Sequence, residues 1–165
     1  MGVGNSEKDT RDRGARMSKY LTFNLEEEVY GLEILRVREI IGLMDITKVP
    51  RMPEFVRGVI NLRGKVIPVV DLRLKFGMPS TEDTKETCII VVDLDDILMG
   101  IVVDRVSEVL DIDEQDIDEA PEFGVSVSTE FILGMGKARD KVILLLDIGK
   151  VLTTSEVAIL AKQGK

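Results

Sequence analysis

The stretch Gly31-Leu32-Glu33-Ile34-Leu35-Arg36-Val37-Arg38-Glu39-Ile40-Ile41 returns 69 residues later as Gly100-Ile101-Val102-Val103-Asp104-Arg105-Val106-Ser107-Glu108-Val109-Leu110. Gly, Arg, Val and Glu recur at matching places. A second block, Lys65-Val66-Ile67-Pro68-Val69-Val70-Asp71-Leu72, returns as Lys141-Val142-Ile143-Leu144-Leu145-Leu146-Asp147-Ile148 at an offset of 76. Two blocks in the same order, each with four identities, mark a duplicated unit rather than a chance likeness between β-rich stretches. The growth in offset means that the second copy has gained about seven residues, and the acidic stretch Asp111 to Glu122 is the obvious place for them.

Around these blocks the chain reads as short strands. Leu21, Phe23 and Leu25 alternate with Tyr20, Thr22 and Asn24, the pattern of a half-buried strand. A polar turn at Glu26-Glu27-Glu28 leads into a second strand, Val29 to Ile34, and Leu35 to Ile41 fits either a strand or a helical turn. Glu54-Phe55-Val56-Arg57 has the length of one helical turn. Gly58 to Leu62 and Val66 to Leu72 flank Arg63-Gly64-Lys65, where Gly64 supplies the positive φ of a tight hairpin. Pro68 cannot donate to a ladder, so an edge or a bulge is expected there. Met78 to Glu86 is a polar linker, after which Ile90 to Leu94 starts the pattern again. Each copy thus offers about five short strands, which suits a small barrel or a strongly curled sheet. Such a unit has little interior, so the copies are expected to bury apolar faces against each other. Met1 to Arg16 reads as a disordered tail, and Ser155 to Lys162 as a short terminal helix.

Composition narrows the function. The 165 residues are 44% hydrophobic, enough for a real core, with a formal net charge of −8. That balance argues against a nucleic-acid partner, which calls for a cationic footprint. Histidine is absent, which removes the usual general base, zinc ligand and triad partner together. No phosphate-cradling glycine motif stands between a strand and a helix. Cys88, the one cysteine, lies in an apolar run and reads as a buried thiol. The acidic run after Asp111 lacks the central glycine and terminal glutamate of a calcium loop in register. No catalytic site, metal or cofactor is therefore expected, which leaves a binder of proteins. The single cysteine, the lack of an apolar run long enough to span a bilayer and the lack of a signal-peptide pattern at Met1 to Arg16 point to the cytoplasm. The competing reading is a small-ligand binder or enzyme that uses carboxylates in a groove between the two copies.

Charge is unevenly distributed. Nine basic residues fall between Arg36 and Phe76 against four acidic ones, whereas Asp111 to Glu122 holds seven acids and no base. A basic first copy and an acidic second copy could dock on oppositely charged neighbours, or both could simply be wet surface.

The run Glu54-Phe55-Val56-Arg57-Gly58-Val59-Ile60-Asn61-Leu62-Arg63-Gly64-Lys65-Val66-Ile67-Pro68-Val69-Val70-Asp71-Leu72 resembles the core signature of the CheW family, the coupling proteins of bacterial chemotaxis. Tyr30 to Ile34, Val37 to Ile40, Gly100 to Asp104 and Leu145 to Ile148 match as well, so the likeness runs from about Lys19 to Ala161. It implies a mostly β fold of two small five-stranded SH3-like β-barrels, packed together and followed by a short C-terminal helix. The implied boundaries are a tail over 1–17, barrels over about 18–80 and 86–153 with possible strand exchange between them, and a helix and tail over 154–165. It also implies a non-catalytic scaffold that bridges the cytoplasmic tips of chemoreceptors to the regulatory domain of the histidine kinase CheA, recruited to receptor arrays and without membrane insertion. Carried over residue by residue, the receptor-facing groove falls on Val37, Glu39, Gly58 and Arg63, with Glu39 and Arg63 as an ion pair, and the kinase-docking patch on Ile34, Val37 and Ile40. The plain alternatives are a surface salt bridge of little value, a glycine serving only its backbone, and ordinary core burial. An apolar groove between the barrels is the expected seat for the receptor's helical hairpin.

Overall fold

The computed structural model describes residues 17–78, 82–95, 97–119 and 131–151. The expected N-terminal tail (apart from Met17) and the helix Ser155 to Lys162 lie outside the described residues.

Among the described residues eleven strands form two sheets. In chain order they are β1 Ser18–Leu25, β2 Glu28–Glu33, β3 Val37–Gly42, β4 Val56–Leu62, β5 Lys65–Asp71, β6 Cys88–Asp93, β7 Leu98–Val103, β8 Arg105–Ile112, β9 Ile117–Asp118, β10 Ile132–Ala138 and β11 Lys141–Leu146. One sheet runs β3-β6-β7-β5-β4, the other β8-β1-β2-β11-β10-β9. The duplication is written into this order: at the two sequence offsets β1 maps on β6, β2 on β7, β3 on β8, β4 on β10 and β5 on β11. The register follows. Val69 opposes Gly100 in the parallel β5–β7 pair, and Leu145 opposes Gly31 in β11–β2. Both copies shift register at the same place, between Val56 and Gly58 and between Ile132 and Gly134.

The sheets do not divide the chain at the polar linker. The β6–β7 hairpin lies in the sheet of β3, β4 and β5, and the β1–β2 hairpin lies in the sheet of the later strands. Each sheet is therefore completed by the other half of the sequence. The sixth strand, β9, has a one-residue counterpart in the bridge between Thr47 and Val59. Thr47 and Asp118 oppose equivalent residues, Val59 and Met135, so the offset at this point is 71. Only two of the extra residues thus fall within the acidic stretch up to Asp118, and the rest lie between Asp118 and Ile132.

This arrangement explains a strand that the alternation pattern misread. β1 is buried on both faces, not one. Leu21, Phe23 and Leu25 enter a large core shared by the two sheets, with Leu32, Leu72, Ile90, Val92, Met99, Ile101 and Leu146. Tyr20 turns the other way, into the smaller interior of its own sheet with Ile112, Ile143 and Leu145. Thr22 is tolerated there because its hydroxyl donates to the Glu108 carbonyl and accepts the Glu108 amide, at 2.7 and 3.1 Å. Ile60, Ile67, Val69, Ile89, Val91 and Val102 fill the matching interior of the other sheet. Rings of Phe23, Tyr30, Phe76 and Phe131 stack in series across the junction, the last two with centroids 4.9 Å apart.

Two local expectations change. Val56 and Arg57 begin β4 rather than forming a helical turn, and the turn before them, Glu54-Phe55, places the Phe55 carbonyl to accept the Asp71 amide at 2.8 Å. Pro68 lies in β5, which pairs on both sides, not at an edge. It opposes Val59, whose own N–H and C=O are directed outward to Thr47, so that pair exchanges no hydrogen bonds. Pairing with β7 begins one residue later, at Val69, so the missing donor interrupts neither ladder.

Candidate protein-docking site

β3 is an edge strand, and its residues split between two faces. Val37 opposes Val92 and packs against the shared core; after a register shift Glu39 opposes Val91 and Ile41 opposes Ile89, on the side of the sheet's own interior. The shift is a bulge, which turns consecutive side chains out of simple alternation. Ile40 is left 45% exposed, and Leu35, on the 3-10 turn Ile34–Arg36, is 93% exposed.

Arg63 sits in the two-residue turn between β4 and β5. Both Arg63 and Gly64 take positive φ, 54° and 84°, the geometry that matches strand twist in a tight hairpin. The Asn61 side chain accepts the Gly64 amide at 2.8 Å and holds the turn in place. Arg63 then reaches across to β3 and meets Glu39 in a two-pronged ion pair, Nη1 donating to Oε2 at 3.3 Å and Nη2 to Oε1. The hydrogen bond from Arg63 holds the Glu39 carboxyl below its usual range, and the same contact raises the guanidinium. With Arg38, Leu62, Lys65, Ile67, Val91 and Leu98 the pair lines a depression at the end of that sheet's interior.

The structure brings Val37, Glu39, Ile40 and Arg63 together at one end of β3. Ile34 and Val37 are half-buried against the core, so of the apolar trio only Ile40 offers substantial free surface. Gly58 lies on β4 and does a backbone job. Its φ is +140°, and a Cβ there would stand 2.1 Å from the Thr47 carbonyl oxygen. That carbonyl accepts the Val59 amide at 2.9 Å, so glycine lets the chain after β3 approach β4 closely. The depression beside it is lined by Lys48, Arg51, Met52, Pro53 and Arg57 among others, and is basic in keeping with the first copy.

An arginine cluster escaped sequence reading. Arg73, on the single helical turn Leu72–Lys75, is fully buried and spends all five of its N–H donors. It grips Asp71 with Nε and Nη2 at 3.0 and 2.9 Å, and meets Asp83 at 2.9 Å, Asp104 at 2.8 Å and the Glu82 carbonyl at 3.1 Å. Arg57 adds bonds to Asp71 and Asp83 at 3.0 and 3.1 Å, and Asp104 also accepts the Glu26 amide at 2.6 Å. The polar linker, the β7–β8 corner and the β1–β2 turn are thus pinned to β5. The one hint in the sequence was an Arg following the Asp71-Leu72 pair, with no means of telling that its partners lie 10 and 31 residues on.

These contacts bear on the two classes of function. The most buried carboxylates are held by Arg57 and Arg73, and among the described residues aliphatic and aromatic side chains pack between the sheets. A carboxylate site in a groove between the two copies has no support. Among the described residues no group of three His, Cys, Asp or Glu is placed to hold a metal ion, and no helix is long and apolar enough to cross a membrane.

The CheW-like domain family model matches residues 19–156. The chain belongs to the CheW-like family. It is 39% identical to a chemotaxis protein CheW of Klebsiella aerogenes, over 89% of each chain. A CheW of Helicobacter pylori is 34% identical, over 91% of this chain and 88% of the other. The crystal structure of the scaffolding protein TtCheW from Thermoanaerobacter tengcongensis superposes with a TM-score of 0.78 at 38% identity, covering 85% of this chain and 95% of that one. A CheW-type fold and a place among chemotaxis scaffold proteins follow, and the family points to an adaptor rather than an enzyme.

Proposed function

We propose that the chain is a non-catalytic adaptor that couples the cytoplasmic tips of chemoreceptors to the regulatory domain of the kinase CheA. The supporting observation is edge strand β3, which carries exposed Ile40 next in the chain to Glu39 of the Glu39–Arg63 pair, with exposed Leu35 just before the strand. Exposed apolar side chains bordered by charge suit a protein interface better than small-molecule chemistry. Receptor contact is assigned to Val37, Glu39, Gly58 and Arg63, and kinase docking to Ile34, Val37 and Ile40. Within this assignment Gly58 acts through the backbone it allows, and Ile34 and Val37 offer only their half-buried edges beside the exposed Ile40. Holding receptor and kinase on one scaffold raises their effective concentration with no chemical step. The site of action is the cytoplasmic face of receptor arrays.

Arg63→Glu and Ile40→Asp test this in a reconstituted receptor–kinase assay. Both positions are exposed, so circular dichroism and melting should match the parent while receptor control of the kinase is lost. Parent-like coupling by the folded variants would sink the site. Absence of a ternary complex among the unmodified chain, the kinase regulatory domain and a receptor cytoplasmic fragment would sink the function.

A further inference from the structure

The internal symmetry carries the ion pair with it. At the offset of the first repeated block Glu39 maps on Glu108 and Ile40 on Val109; at the offset of the second, Arg63 maps on Arg139. The mapped residues make the same contact: Arg139 Nη1 donates to Glu108 Oε1 at 2.8 Å. The local settings agree as well. Arg139 and Asp140 occupy the turn between β10 and β11 with φ of 53° and 64°, as Arg63 and Gly64 do between β4 and β5. Val109 is 48% exposed, against 45% for Ile40. What differs is the surrounding charge. Arg36 and Lys65 beside the first pair have counterparts in Arg105 and Lys141, but Arg38 gives way to Ser107, and the segment after Val109 carries Asp111, Asp113, Glu114, Asp116, Asp118 and Glu119. Lys19 meets Asp111 and Lys137 meets Asp118, at 2.9 and 3.2 Å.

We propose that Glu108 and Arg139 are a second clamp, which fixes the β10–β11 turn on edge strand β8 and so positions Val109 within a second protein-contacting face, suited to a partner surface of basic character. A hydrogen-bonded exposed pair is worth little as stability. Its recurrence across the duplication, in sequence, turn geometry and partner atom type, points to a shape that both halves need. The two faces share one construction and differ in charge, the second being the more acidic, so they discriminate between partners by electrostatic complementarity. The inference rests on the adaptor reading for its partner, though not for the clamp itself.

Three variants test it: Glu108→Arg, Arg139→Glu, and the two together, which restores the pair with its charges exchanged. The first readout needs no partner. Amide exchange at Ala138 and Lys141, which pair across the turn, should quicken about fivefold in each single variant and return in the double one, as loss and recovery of an exposed ion pair would give. Unchanged exchange in the single variants overturns the clamp. The second readout is receptor-controlled kinase activity in the reconstituted complex, at low and raised salt. Each single variant should lower the apparent affinity of the adaptor about tenfold with its melting temperature unchanged, and the double variant should recover it. Parent-like coupling by the single variants, or no recovery in the double, overturns the second face. If the unmodified chain itself fails to couple, the adaptor reading falls, and the clamp stands or falls on the exchange data.

Discussion

Gly58 and Gly64 stand on the same hairpin, and alanine should fail at each for a different reason. At Gly64 nothing lies within 4 Å of an added Cβ, so the cost is that of a positive φ alone. About 1 kcal/mol of stability should be lost. At Gly58 the methyl would meet a backbone carbonyl, and the Thr47–Val59 bridge would have to open. A loss on the order of 3 kcal/mol is expected, measured by urea unfolding of the two variants side by side. Equal losses would show that the close approach is not what fixes Gly58. Gly64 was legible in the sequence because a tight turn is a local event. The role of Gly58 was not, since the carbonyl it makes room for belongs to a loop that reaches it only through the fold.

Arg73 ties together elements that are distant in the chain. Replacing it by Met would keep the bulk of the stem and leave the fully buried Asp71 without its two-pronged partner. A loss of about 3 kcal/mol is expected from chemical denaturation, because the buried Asp71 charge is left with Arg57 as its ion-pair partner and loses the two-pronged one. The same cluster predicts an acid limit. Burial alone would raise the Asp83 carboxyl, but the hydrogen bonds from Arg57 and Arg73 outweigh it and hold the group below its usual value of 3.8. A depressed carboxylate lends stability that is fully present above its unfolded pKa and lost as pH falls through its folded one. Stability should therefore be level from neutrality to about pH 5 and decline below about pH 4. Asp83→Asn should reduce the parent's stability at neutral pH and flatten its decline in acid. An unaltered acid slope would show that Asp83 does not contribute to it. The aspartates and arginines were visible in the sequence, as was the segment Gly100 to Asp104, but the pairing among them depends on where the linker and the β7–β8 corner come to rest.

At the scale of the molecule, the exchanged hairpins make the two halves interdependent. A half-chain of residues 1–80 would keep β3, β4 and β5 but lack the β6–β7 hairpin that completes their sheet. The complementary half, 81–165, would lack β1 and β2. Leu21, Phe23, Leu25, Ile90, Val92 and Ile101, all buried in the shared core, would lose their opposing layer in both. Neither fragment should fold alone, and an equimolar mixture should regain the β spectrum of the intact chain by circular dichroism. Cooperative melting of either isolated half would contradict the interdependence. Duplication foretold two like units. It could not assign a hairpin to one sheet or the other, because both hairpins carry the same pattern and a swap preserves every local preference.

The sequence by itself determined the repeat, the strand content, the Arg63-Gly64 turn and the lack of histidine chemistry, all of which follow from residue type and short-range spacing. It also carried the family signature and with it the end of β3 as the place to look. Only the tertiary structure decided that β1 is buried on both faces, that each sheet borrows a hairpin from the other half, and that Arg73 binds three aspartates. It alone showed that Glu108 and Arg139 touch as Glu39 and Arg63 do. These depend on contacts between residues far apart in the chain, and alternation along a strand records which side chains share a face without recording what packs against it.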